Sequence, residues 1–107
     1  MGVAFKENCP DIRNSKVFDI IAELKTFNAE VDIWDPWVSL PGLRDAYGLE
    51  GLSEAPEAGS YDGIVLAVGH REFVAMGAAA VRALGSPHAV LYDVKGIFPK
   101  TDTDGRL

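Results

Sequence analysis

The sequence holds a single cysteine, Cys9, among its 107 residues. A lone thiol excludes an intrachain disulfide and supplies no metal-ligand cluster, which fits a reducing, cytoplasmic compartment. Cations are also scarce: Lys and Arg total 10 against 16 Asp and Glu, a formal net charge of −6. No basic face or arginine-rich run is present, which excludes a nucleic-acid binder. A local cationic pocket is still allowed, because a small anion needs only a few placed cations. The longest apolar runs, residues 63–69 and 74–81, are too short to span a bilayer. No basic segment followed by an apolar one opens the chain, so no signal peptide is read. Two nucleotide fingerprints are absent as well. Neither Gly-x-Gly-x-x-Gly nor a P-loop pattern follows the first apolar segment. The usual backbone cradle for pyrophosphate is therefore excluded, and side-chain cations must grip any phosphate.

What is present is an ordinary globular composition, enough for one domain with one core. Short apolar runs at residues 2–5, 31–34, 63–68 and 89–92 read as strands. Between them, Val17, Ile20, Ile21 and Leu24 form one stripe of a helix over residues 15–27, with Asn14 or Ser15 to cap it and Asn28 to end it. A second helix is expected over residues 71–84, stopped by Gly85-Ser86-Pro87. Residues 37–62 are rich in Pro, Gly and Glu, with one helical turn expected near 43–47. Strands alternating with helices imply right-handed crossovers. The expected fold is α/β, a Rossmann-like three-layer sandwich with a mainly parallel sheet of about four or five strands. A nucleotide-binding domain over residues 1–100 is expected, followed by a polar, mobile tail at 101–107. The first strand begins almost at Met1, so the chain reads as a piece of a longer protein.

In a parallel sheet all strand endings share one edge, where open α/β folds bind ligands. Here those endings are Lys6 through Arg13, Asp35-Pro36-Trp37, Gly69-His70-Arg71 and Asp93-Val94-Lys95. Lys6 directly follows the first strand and is placed to reach over the edge as a point-charge phosphate ligand. Arg13 lies just before the first helix, where it either grips phosphate in bidentate fashion or pairs with Asp11. Phe5 is either core, the more ordinary role, or the wall of a base or sugar pocket. Trp37 is either a stacking platform or an aromatic cap on the sheet edge. His70 is a proton carrier by residue type only, and a structural role is favoured for it. Cys9 has no neighbouring base and is followed by Pro10, so no catalytic residue is assigned.

These residues carry a resemblance. The run Gly2-Val3-Ala4-Phe5-Lys6, then Asp11-x-Arg13-x-Ser15, then Val31 to Asp35-Pro36, and a strand ending in Asp93 resemble the C-terminal, UDP-binding domain of the UDP-glucose/GDP-mannose dehydrogenase family. Residues 7–14, Asp35-Pro36-Trp37 and Gly69-His70-Arg71-Glu72-Phe73 are most similar to the branch that acts on UDP-N-acetylhexosamines. The resemblance implies a longer enzyme that oxidises the sugar 6-hydroxyl to a carboxylate in two NAD-dependent steps. It also implies that an NAD domain, a dimer-forming helix and the catalytic cysteine precede Met1. This part alone would then be inactive and, without the dimer-forming helix, monomeric, and the whole enzyme a homodimer. By position, Phe5 and Lys6 match residues that contact the nucleotide sugar, and Arg13 matches an arginine that reaches the cofactor.

One motif departs from the pattern. Where the family often has Asp-Gly-Arg, with the arginine touching UDP, this chain has Asp93-Val94-Lys95. Lys95 keeps the charge and loses the bidentate fork. Asp104-Gly105-Arg106 has the right letters but lies past the strand, so the role is not transferred to it. The rival readings are a stand-alone nucleotide-binding or regulatory α/β module and a metal-binding receiver-like domain. The second needs clustered carboxylates beside a lysine, and the first loop offers Lys6 and Arg13 instead.

Overall fold

The computed structural model describes residues 1–107. Three helices and three strands form an α/β unit: α1 (Val17–Thr26), α2 (Leu40–Tyr47), β1 (Tyr61–Leu66), α3 (Arg71–Arg82), β2 (Gly85–Asp93) and β3 (Gly105–Arg106). The strands lie in the order β1-β2-β3, and both pairings are parallel. The expected sheet of four or five strands is thus three strands plus flanking extended segments.

Those segments are the two apolar runs expected to be strands at residues 2–5 and 31–34, and neither is a regular strand. Each still lies in the plane of the sheet. The Met1 ammonium donates to the Val65 carbonyl at 2.7 Å, and the Ala67 N–H donates to the Met1 carbonyl at 2.9 Å. That exchange is one rung of a parallel ladder. Gly2 N–H donates to Trp34 O, and Ile33 bridges in parallel to Gly51. Lateral order is therefore Gly51, Ile33, Met1 to Val3, β1, β2, β3. The ladder stops at Val3 because its N–H and that of Ala4 donate to the Asp35 carboxylate instead of to a neighbouring carbonyl. Gly2 adds a positive φ of 86°, and a Cβ there would collide with Val68.

Local chemistry accounts for the helix ends. The α1 stripe buries Ile21, and the chain turns out of the helix through Asn28 at φ 63°, a left-handed position that asparagine tolerates. Ser15 is not the formal cap, which is Lys16, although its Oγ accepts from Val17 N–H at 3.4 Å. Ser39 caps α2 by accepting from Gly42 N–H, and Gly48 closes it at φ 66°. The α3 helix is shorter than expected and broken inside. Gly77 adopts φ 80° and ψ 160°, which no helical residue can share.

Gly85-Ser86-Pro87 does not merely stop that helix. It opens β2, and the register slips between the Tyr61↔Gly85 and Gly63↔Val90 pairs. Pro87 falls in that bulge, where a ladder donor is not required. The polar residues at 101–107 are also not a free tail. Lys100–Asp102 make one 3₁₀ turn and Gly105–Arg106 pair with Tyr92 and Asp93 as the sheet's edge.

Two apolar clusters hold the layers together. Val3, Ile21, Ile33 and Leu43 pack where α1 and α2 meet the first segments of the sheet. Ile64, Leu66, Phe73, Val81, Leu84, Leu91 and Phe98 join α3 to β1 and β2. Each fully buried Leu or Phe of this kind contributes about 1.5–3 kcal/mol.

Candidate functional site

The carboxyl edge of the sheet is organised by two buried aspartates, one at each end of a run of strand endings. Asp35 follows the segment 31–34 and is 7% exposed. Its Oδ2 accepts from Val3 N–H at 2.8 Å, Ala4 N–H at 3.2 Å and His70 Nε2 at 2.9 Å, while Oδ1 accepts from Trp37 N–H at 2.8 Å. His70 is wholly buried, with Trp37 and Phe73 rings 6.0 and 5.5 Å from its own. Its Nδ1 lies 2.9 Å from the Asn8 backbone N–H. A backbone N–H can only donate, so Nδ1 is the acceptor and the ring proton sits on Nε2, facing Asp35. Both ring nitrogens are thereby committed, and His70 is no proton carrier.

This network holds the loop that follows the first segment. Asn8 is fixed by both backbone and side chain: its backbone N–H donates to His70, and its side-chain Oδ1 accepts from Arg71 N–H at 2.8 Å. Its φ of 55° is one that asparagine adopts more readily than most residues. Phe5 N–H donates to Asp11 O at 2.7 Å and closes the loop on itself. Tyr47 OH, on a ring stacked 3.6 Å from Phe18, donates to Ile12 O at 3.1 Å. Lys6 is left exposed within this closed loop, beside Phe5. Phe5 is 54% exposed, so the expectation of a core role fails and its ring is available at the edge.

Asp93 does for the last turn what Asp35 does for the first. It is fully buried, its Oδ1 accepting from Gly96 N–H and its Oδ2 from Phe98 N–H, each at 2.9 Å. Phe98 is anchored in the core, and Gly96 turns the chain at φ 65°. Lys95 is left exposed within that turn. Neither the Lys6 nor the Lys95 ammonium has an ion-pair partner. Both are free cations on strand-end turns of one edge, as the spacing predicts.

Arg13 is placed differently. Its Nε and one terminal nitrogen donate to Asp11 Oδ1 and Oδ2 at 3.0 and 2.9 Å, in the open. The guanidinium hydrogen bond holds the Asp11 carboxyl down at about 2, and Asp11 in turn raises Arg13. The fork is thus occupied by the structural partner, and an exposed pair of this kind is readily exchanged. Trp37 is likewise engaged. Its Nε1 donates to the Glu72 carboxylate at 2.9 Å and Arg71 covers its ring at 4.7 Å, so it caps the edge and is no open stacking platform.

Two arrangements were not legible from spacing. The Asp35–His70–Asn8 chain joins residues more than sixty positions apart in sequence, and only the buried Asp and His types hinted at it. The other is Arg106. Pairing of Asp93 with Arg106 carries the guanidinium over Gly96, leaving no space for a Cβ there. Asp104-Gly105-Arg106 is therefore beside the Lys95 turn, not adrift from it. Asp104 secures the strand by accepting from Leu91 N–H at 2.8 Å and from Arg82 at 3.0 Å. A cavity of about 670 Å³ lies elsewhere, between α1 and the sheet. Phe5, Lys6, Arg13 and Lys95 do not line it.

The sequence profile of the UDP-glucose/GDP-mannose dehydrogenase family's UDP-binding domain matches residues 1–100. The chain belongs to this family. Relatives agree: it is 50% identical over its whole length to a UDP-N-acetyl-D-glucosamine 6-dehydrogenase of Pseudomonas aeruginosa and 44% to one of Salmonella typhi. Over 98 residues, 92% of the chain, it is 33% identical to Protein CapL of Staphylococcus aureus. The chain spans about a quarter of the length of these relatives, 25%, 25% and 23% respectively. Within the dehydrogenase family, then, this is the UDP-binding part, and both lysine-bearing turns fall inside the matched residues.

Proposed function

We propose that this chain is the UDP-sugar-binding domain of an NAD-dependent nucleotide-sugar 6-dehydrogenase, one that oxidises the C6 hydroxyl of a UDP-N-acetylhexosamine to a carboxylate. The observation that carries the reading is the pair of free ammonium groups, Lys6 and Lys95, on turns locked by the buried Asp35 and Asp93. Preorganised cations lose little conformational freedom on meeting a diphosphate. Phe5 offers an apolar wall beside Lys6. Together they bind the nucleotide and hold the attached sugar toward residues outside this chain. Binding energy gained away from the reacting carbon can lower the barrier there, by fixing its position. Closure of a further domain over this open edge would keep water from the reacting carbon.

NAD is not held here. The turn after Ala4 carries Lys6, Asn8 and Pro10 where a dinucleotide cradle needs glycines, and two of its amide donors, Phe5 and Asn8 N–H, are already committed to Asp11 and His70. The dinucleotide would supply the hydride acceptor from an N-terminal NAD domain of the same protein. Arg13, once released from Asp11, would be the residue of this chain that touches it. On this reading no catalytic residue lies in the chain, the isolated domain is inactive, and the whole enzyme is a cytoplasmic homodimer. No helix of this chain is long and apolar enough to cross a membrane.

The test is binding of UDP, UMP and ADP to the chain, followed by calorimetry or NMR. A UDP affinity near millimolar, about −4 kcal/mol, and weaker UMP and ADP binding are expected. Equal affinity for ADP would reduce the site to a general phosphate pocket and remove the uridine assignment.

A further inference from the structure

We infer that His70 is a positioning residue for the nucleotide loop, acting in one tautomer: Asp35 keeps its proton on Nε2 so that the bare Nδ1 can hold the Asn8 backbone N–H. The inference rests on the nucleotide-site reading only for its consequence in binding; the tautomer and the loop restraint stand apart from it.

The geometry singles out this contact. The loop carrying Phe5 and Lys6 is closed on itself by Phe5 N–H and Asp11 O, which fixes its shape and not its place. Its placement against α3 comes from Asn8, through His70 Nδ1 and through Arg71 N–H to Asn8 Oδ1. The contact to His70 is the less exposed of the two. His70 has no freedom to turn. Its ring lies near Trp37 and Phe73, and Asp35 Oδ2 takes its proton while also accepting from Val3 and Ala4 N–H. A single carboxylate oxygen thus sets the backbone just before the loop and the ring that holds the loop's middle. A flipped ring would meet Asn8 with a carbon, and the other tautomer would set two donors face to face. Either would free Lys6 to wander, and the preorganisation that makes it a useful phosphate ligand would be lost.

Two substitutions separate the two ends of the ring. His70→Asn places an amide oxygen near the Nδ1 position and keeps an acceptor for Asn8, giving up the donor to Asp35. His70→Gln reaches toward Asp35 with its amide and leaves Asn8 N–H unpaired. In the 107-residue chain, His70→Gln should speed exchange of the Asn8 amide and weaken UDP binding about tenfold, the effect of one lost, half-buried hydrogen bond. His70→Asn should restore both to within about threefold of the parent. The Gly96 and Phe98 amides, held by Asp93, should not change in either variant. Imidazole nitrogen shifts of the parent chain must show Nε2 protonated and Nδ1 bare, a reading that needs no variant to fold. A protonated Nδ1 overturns the proposal. So does equal impairment by both variants with Gly96 and Phe98 also loosened, which would make His70 a general core residue. If the parent fails to bind UDP, the function reading falls, while Asn8 exchange and the tautomer still decide the role of His70.

Discussion

The two lysine-bearing turns solve one problem in two ways. At the Lys95 turn, the buried Asp93 holds the N–H groups of residues only three and five positions later, Gly96 and Phe98. At the Lys6 loop, the buried Asp35 works across the chain: its backbone partners Val3 and Ala4 lie 32 and 31 residues earlier, and His70 lies 35 residues later. One turn is a local fold of the backbone that forms whenever β2 forms. The other exists only when three strand endings have come together. The local turn should therefore survive damage elsewhere, and the assembled loop should report on the whole edge.

That contrast can be broken most forcefully at its two aspartates. Asp35→Asn puts an amide N–H₂ among four donors and should destabilise the domain by about 2–4 kcal/mol, read by chemical denaturation. Its exchange pattern should show the Lys6 loop opened and the Gly96 and Phe98 amides intact. Asp93→Asn should cost less, about 1–3 kcal/mol, and loosen only the Lys95 turn. If either variant loosened both turns equally, the two would be one cooperative unit and the distinction would fail.

The cations sharpen the comparison without touching the fold. Lys6→Ala in the full-length protein, if it is the dehydrogenase proposed, should lower kcat/KM by roughly tenfold to a hundredfold, the loss of a hydrogen bond to a charged group, with thermal stability unchanged. Wild-type kinetics would remove Lys6 from the site. Lys95→Arg restores a planar fork on the locally built turn and should tighten UDP binding modestly, whereas Lys95→Ala should weaken it.

The smallest effect concerns Arg13. Asp11 titrates near about 2 because Arg13 hydrogen-bonds its carboxylate. A depressed carboxyl contributes stability above its ordinary value, and that contribution is lost as the pH falls through about 2. Arg13→Ala should raise Asp11 toward the usual carboxylate range in a carbon-detected NMR titration, the backbone N–H of residue 13 still holding it part of the way down, with little change in stability. A cofactor phosphate that draws Arg13 away should raise Asp11 in the same direction.

What was legible in the sequence divides along the same line. Helix α1, the endings at Asp35 and Asp93, and the exposure of Lys6 and Lys95 follow from periods, turns and residue type over a few positions. Residues 2–5 and 31–34 look like strands because they are apolar, yet the Asp35 carboxylate takes the Val3 and Ala4 donors that a strand would need. The broken α3 helix hangs on Gly77, whose positive φ a helical pattern cannot announce. Arg106 was set aside as tail because its neighbour Asp93 is close only through the β2–β3 pairing. At the Asp35 carboxylate and at Arg106, a long-range partner overrode a local preference.

The central claim is that both turns face one nucleotide. It is tested most directly by mapping the backbone amides of the chain as UDP is added. The account predicts that the amides of Lys6, Asn8, Lys95 and Gly96 move together along one saturation curve, while those of the cavity-lining Ile20 and Leu24 stay still. Movement confined to one turn, or centred on the cavity between α1 and the sheet, would contradict it.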